Sequence, residues 1–259
     1  MNRRKLRLWT VRYLPPLIVF VAVIVIWEVA TSGGGRRVIP PPSSILRAGL
    51  EEIDPLRRSA LATAYEAIGG LVIGTLAGVI VAFATARWVT ARDVLLPIGI
   101  ATSAIPIIAI APILNNWFGV LNPLSKMMMA ALLVFFPVMI NVTRGLVEVK
   151  PASLELMRSY AAGEGAVLRK VRIPNMLPFL FTALKIGATL AFIGALVGEY
   201  FGGSSEVLGR IVLTSMSAGQ YSLAWAGILL GAIAAITAYL LISIVERLVI
   251  PWHASMRSE

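Results

Sequence analysis

Long apolar runs alternate with short polar connectors along most of this chain. Six runs stand out, over about residues 14–31, 63–86, 94–114, 127–146, 179–198 and 223–245. Each approaches or exceeds the roughly 20 apolar residues that cross a bilayer's hydrocarbon core as a helix. The pattern therefore predicts an all-α, polytopic membrane protein with six transmembrane helices, forming one transmembrane domain over residues 1–259.

The first run follows a start that carries Arg3, Arg4, Lys5, Arg7 and Arg12. A basic start and an apolar run also describe a signal peptide, with Ala30-Thr31-Ser32 as a small-residue site. The run is longer than the usual signal core, so a retained span is expected. Glu28, near its outer end, is expected to reach the interface and is given no role. Residues 33–62 read as polar and irregular. Gly33-Gly34-Gly35 and Pro40-Pro41-Pro42 serve there as links, and Ser43 or Ser44 is placed to cap a short surface helix with Ile45, Leu46 and Leu50 on one face.

Gly70, Gly74 and Gly78 share one face of the second run, as Gly187, Ala191 and Ala195 do in the fifth and Gly227, Gly231 and Ala235 in the sixth. Such faces let helices approach closely within a membrane. Pro97, Pro106 and Pro112 interrupt the third run and predict kinks. Trp117 is placed as an interfacial anchor, and Lys185 is expected to snorkel to the surface. Residues 198–222, with five glycines, read as an external loop or re-entrant region.

One connector differs from the rest. Residues 144–178 hold six Lys or Arg and three Glu, too polar for a membrane and too long for a turn. Pro151 opens a predicted helix carrying Leu154, Leu156, Met157 and Tyr160. Ala161, Ala162, Gly163 and Gly165 allow a bend. Ala166 to Val171 reads as a second short helix, ended by Pro174. Two short helices at an elbow form a docking surface for a soluble partner.

Composition agrees with the pattern: 58% of residues are hydrophobic, 14% are charged, and mean hydropathy is +0.84. There is no cysteine, so thiol chemistry and disulfides are absent. The net charge of +10 does not indicate nucleic acid, because the basic residues cluster at the ends of apolar runs. Connectors on the side of the 144–178 segment carry 15 Lys or Arg and those on the other side 7, which places that segment and both termini in the cytoplasm. No P-loop, H-E-x-x-H or paired His/Cys set is present, and the single His253 offers no triad; neither metal nor cofactor is expected. Glu66 lies near the outer end of its run, a poor place for a proton relay.

The 144–178 segment resembles the coupling loop, the "EAA" loop, of permease subunits in bacterial ABC importers. Glu155 stands at its Glu, and Val171-Arg172-Ile173-Pro174 at its ending, with thirteen residues from Ala161 to Pro174. Leu156 and Met157 replace the usual Ala-Ala, and Ala161 replaces the usual Gly. Alanine takes positive φ reluctantly, so Gly163 is the expected source of the bend. The runs RRVIPPPSSIL, APILNNWFG, NPLSK, FFPVMIN and ELMRSY extend the likeness from Leu46 to about Trp252. They resemble the permeases serving sulfonates, taurine, nitrate, riboflavin and thiamine-precursor pyrimidines, and APILNNWFGVLNPLSKM, RSYAA and LVGEYFGG are closer to the riboflavin and pyrimidine members.

The resemblance implies a homodimer in the membrane, with a separate cytoplasmic ATPase and an extracytoplasmic substrate-binding protein. ATPase coupling is expected at Glu155, Leu156, Met157, Arg158, Tyr160, Ala161, Ala162, Gly163 and Pro174. The polar candidates for the substrate path are Ser103, Asn115, Asn141 and Glu199. With no basic residue deep in that path, a neutral heterocycle is favoured over sulfonate or nitrate. A self-contained secondary transporter remains the alternative, but it has no need of a helical elbow at the membrane surface.

Overall fold

The computed structural model describes residues 3–33, 38–88, 93–94, 97–101 and 105–251. Among them the chain is helical with no strand. The helices are α1 (Arg3–Thr31), α2 (Pro42–Glu51), α3 (Ile53–Arg87), α4 (Ile107–Phe118), α5 (Pro123–Val147), α6 (Pro151–Ser159), α7 (Glu164–Val167), α8 (Ile173–Phe201), α9 (Leu208–Ser217) and α10 (Tyr221–Val249). Five stretches are long and apolar enough to cross a membrane, and α4 is a shorter apolar helix.

Helices α3, α5 and α8 make the core, and small residues set their spacing. A Cβ on Gly70 would strike Ala130. One on Gly74 would lie 2.5 Å from the Ala131 carbonyl, and one on Gly78 would lie 2.9 Å from that of Phe135. The partners advance in the same direction along both helices, so α3 and α5 are parallel. Thr85 and Thr143 share a 2.8 Å hydroxyl hydrogen bond further along the same seam. Gly194 against Ala130 and Gly145 against Met176 make α8 antiparallel to α5. Val134, Val138, Val142, Ala183, Ala191 and Phe192 are buried where the three helices meet. Without a hydrophobic drive between helices in lipid, this close backbone approach supplies the packing.

The structure moves several predicted boundaries. Helix α3 begins ten residues before the predicted 63, and at 35 residues it spans about 52 Å, well beyond the roughly 30 Å hydrocarbon core. Its first turns therefore stand outside the apolar layer. The third run is not one continuous span among the described residues. Residues 97–101 are helical, and the chain bends at Ile105 and restarts as α4 after Pro106. A proline disfavours helical geometry in the residue before it, which is why the break falls there. Helix α4 runs on through Trp117 to Phe118, ending at Gly119 with φ 97°. Asn122 then caps α5, its side chain accepting from the Leu124 N–H at 3.0 Å.

From Leu14 to Thr31 helix α1 has no buried residue, and near its end it is tied to the rest of the chain. Trp27 packs edge-on against Trp225 at 5.7 Å. Glu28 accepts from the Ser43 backbone N–H at 2.9 Å and the Ser43 hydroxyl at 2.6 Å. So α2 is capped from α1, not by Ser43 or Ser44, and Glu28 has a structural role the sequence did not reveal. On α2, Ile45 is buried while Leu46 and Leu50 lie exposed on another face.

Candidate functional site

The segment after α5 is anchored at its base and open at its tip. Asn175 donates from Nδ2 to the Gly145 carbonyl at 2.8 Å and to that of Glu148 at 3.2 Å. Arg172 reaches the Leu146 carbonyl at 3.4 Å. These bonds join the end of α5 to the start of α8. Beyond them α6 projects, opened by Pro151 at its first position, with no buried residue. Leu156 is 56% exposed and Tyr160 74% exposed; Glu155 and Arg158 are exposed, and Met157 is half-buried. Leu156 and Tyr160, apolar side chains at the tip of a basic loop, thus stand uncovered among the described residues.

The elbow is at Ala161 itself, which has φ 48°, the one non-glycine residue at positive φ among those described. Gly163 is extended, with φ −69° and ψ 162°, so the expected rescue by Gly163 does not occur. The reason lies in the helix end. The Ala161 N–H donates to the Arg158 carbonyl at 2.9 Å and the Ala162 N–H to the Met157 carbonyl at 3.0 Å. This pair of bonds is the Schellman closure, and it needs a left-handed residue at the first position past the cap.

The second predicted helix also differs. Residues 164–167 form one α-turn, Leu168–Arg172 form a π-turn, and the chain continues into α8 without a stop at Pro174. The Ile173 N–H bonds to the Leu168 carbonyl, five residues back. The wider turn accommodates a proline with no N–H to give, so Pro174 sits in the first turn of α8 and ends nothing.

Three of the four path candidates lie among the described residues. Ser103 lies outside the described residues. Asn141, half-buried on α5, donates to the Pro137 carbonyl at 2.8 Å, so its side chain is turned back along its own helix. Asn115 is buried at the end of α4, with both side-chain polar atoms unpartnered. Glu199 is fully buried and lies in the last turns of α8, not in a loop.

Around Glu199 the structure assembles a polar cluster that no sequence spacing announced. Glu66 from α3 lies beside it, with Lys126 from α5 close to both. All three are buried. The Lys126 ammonium donates to the Val120 carbonyl. Glu199 Oε2 accepts from the Gly209 N–H at 2.6 Å, and Thr63 Oγ1 accepts from the Leu208 N–H at 3.0 Å. Glu66 Oε2 and Glu199 Oε1 have no donor among the described residues beyond each other's carboxyl. Glu66 stood near the end of an apolar run and Lys126 and Glu199 in two separate connectors; only helix packing brings the three together. Lys185 likewise does not snorkel freely: it pairs with Glu246 of α10 at 2.8 Å.

A multi-pass helix bundle that holds an anchored, exposed helical elbow at one end has the form of a membrane permease built to contact a soluble partner. The chain belongs to the family described as the binding-protein-dependent transport system inner membrane component, which matches residues 74–253. A probable ABC transporter permease protein of Haemophilus influenzae is 34% identical over 222 residues, 85% of this chain and 90% of that one. The riboflavin transport system permease protein of Chloroflexus aurantiacus is 32% identical over 65% of this chain and 62% of its own. The formylaminopyrimidine transport permease protein of Halalkalibacterium halodurans is 32% identical over 61% and 62% respectively. Further matches are named for aliphatic sulfonates and taurine. These relatives are membrane transport components, not catalysts.

Proposed function

We propose that this permease is the membrane subunit of an ATP-driven importer, that two copies form the path, and that α6 with its Ala161 elbow is the contact for a cytoplasmic ATPase. The observation that carries this reading is the exposure of Leu156 and Tyr160 at the tip of a segment whose base is pinned by Asn175 and Arg172. Apolar anchors within a polar rim, here Glu155 and Arg158, are the usual anatomy of a protein interface. In this reading the elbow and both termini are cytoplasmic, and the ends of α3, α5 and α8 near Thr63, Lys126 and Glu199 face outward, where a binding protein delivers the cargo.

Placing a charge at Met157 or Leu156 is expected to abolish co-purification of the ATPase while membrane insertion stays intact. Normal ATPase binding by those variants sinks the assignment. Protease access to a C-terminal tag in sealed inverted vesicles tests the topology, and protection of the tag overturns it.

For the cargo we favour a neutral heterocycle, riboflavin or a pyrimidine vitamin precursor. Two relatives carry those names, and the buried cation at the outward end, Lys126, stands beside two carboxyls. Lys126 is therefore not a free positive group for selecting an anion. ATP-dependent uptake of labelled riboflavin, hydroxymethylpyrimidine and taurine by vesicles holding the whole assembly decides among them. Uptake of taurine alone rejects this substrate and leaves the permease reading in place.

A further inference from the structure

Helix α9 is a ten-residue helix that packs against α8, α10 and α3 at the end of the bundle away from the elbow. It has no cap of its own, since Val207 offers no side-chain bond. Its first two buried N–H groups are instead satisfied from other helices, Leu208 by Thr63 of α3 and Gly209 by Glu199 of α8. Unpaired N–H groups at a helix start favour a carboxyl, so Glu199 serves as a remote cap. The seat is close: a Cβ on Gly209 would lie 2.7 Å from the Glu199 Cβ and 2.9 Å from the Leu196 carbonyl.

A purely static seam would leave few polar atoms unsatisfied, because each one costs free energy in a buried place. Here Glu199 Oε1 and Glu66 Oε2 are buried with no donor among the described residues beyond each other's carboxyl, while Lys126, near both, gives a hydrogen bond to Val120. A second arrangement would turn Lys126 from the Val120 carbonyl to the carboxyls. The far end of α9 leads through Gly219 and Gln220 to Tyr221, which line a cavity of about 540 Å³ together with Pro40, Ser44 and Glu51. A shift of α9 therefore reshapes that cavity.

We propose that Thr63 and Glu199, backed by Glu66 and Lys126, are positioning residues that latch α9 across the bundle end opposite the elbow, and that this end opens when the latch lets α9 go. The proposal rests on the permease reading, but its first test does not require transport. The chain has no cysteine, so a single Ser215→Cys on the buried face of α9 reports, by its labelling with a membrane-impermeant maleimide, whether α9 has left its seat in the folded chain. Glu199→Gln keeps the size and an acceptor for the Gly209 N–H but alters the charge balance, and Thr63→Val removes the other cap. Both are expected to raise the labelling rate several-fold, Thr63→Ser is expected to restore it, and in the assembled transporter both raise ATP hydrolysis in the absence of binding protein. Thr63→Val and Thr63→Ser keep the test open if Glu199→Gln does not fold. Unchanged labelling and unchanged basal hydrolysis in folded variants overturn the latch and leave a static cap. Failure of the permease reading shows separately, as no ATP-dependent uptake by the unsubstituted assembly.

Discussion

Ala161 holds a backbone conformation that disfavours a Cβ. The left-handed region costs an L-residue about 1–2 kcal/mol, a cost glycine largely avoids. Ala161→Gly is therefore expected to stabilise the elbow by about 1 kcal/mol, less the extra freedom glycine has when unfolded. Slower hydrogen exchange at the Ala162 amide, bonded to Met157, checks it; faster exchange refutes it. Ala161→Val should move the other way. The Lys185–Glu246 pair gives a second prediction. With side chains 22% and 14% exposed, removing Lys185 alone strands a carboxylate. Lys185→Met is expected to cost about 2 kcal/mol, below the range for fully buried pairs, and Lys185→Met with Glu246→Gln to recover much of it. Thermal unfolding in detergent compares them; a double variant no better than the single one removes the pair from the account.

At the scale of elements, the α3–α5 seam is the tightest place in the chain. Gly74→Ala puts a methyl 2.5 Å from the Ala131 carbonyl, a backbone atom that cannot rotate away. Overpacking of this kind costs about 1–3 kcal/mol, so a clear fall in melting temperature is expected, with Gly163→Ala as the control. Nothing lies within 4 Å of a Cβ at Gly163, so that change should leave the core intact. Equal losses from the two substitutions reject helix contact as the reason for the Gly70, Gly74 and Gly78 spacing. That spacing was readable in advance because period four along a helix is a geometric fact. The start of α3 was not, because its first turns are polar and look like a loop until α2 and α9 pack against them.

Taken whole, the molecule has a close-packed centre and a loosely attached first span. No residue in the apolar window of α1 is buried, and Trp27 and Glu28 are among its ties. Replacing residues 14–26 with an unrelated apolar segment is thus expected to leave the melting temperature within about 1 °C, a stability change of a few tenths of a kcal/mol at most. A large drop shows that α1 holds the bundle together.

Hydrophobic length alone settled that this is an all-α membrane protein, because a bilayer admits few alternatives to helices of that length. Periodicity of small residues settled which faces approach, and the run of charge between residues 144 and 178 marked the segment that stands exposed beyond the apolar helices. Tertiary structure decided the rest. The elbow residue depends on which N–H closes the helix end, and the fate of Pro174 depends on whether a π-turn precedes it. Glu66, Lys126 and Glu199 are 133 residues apart from first to last. Their meeting is fixed by the parallel packing of α3 on α5 and the antiparallel packing of α8, a relation between distant segments that no local spacing encodes.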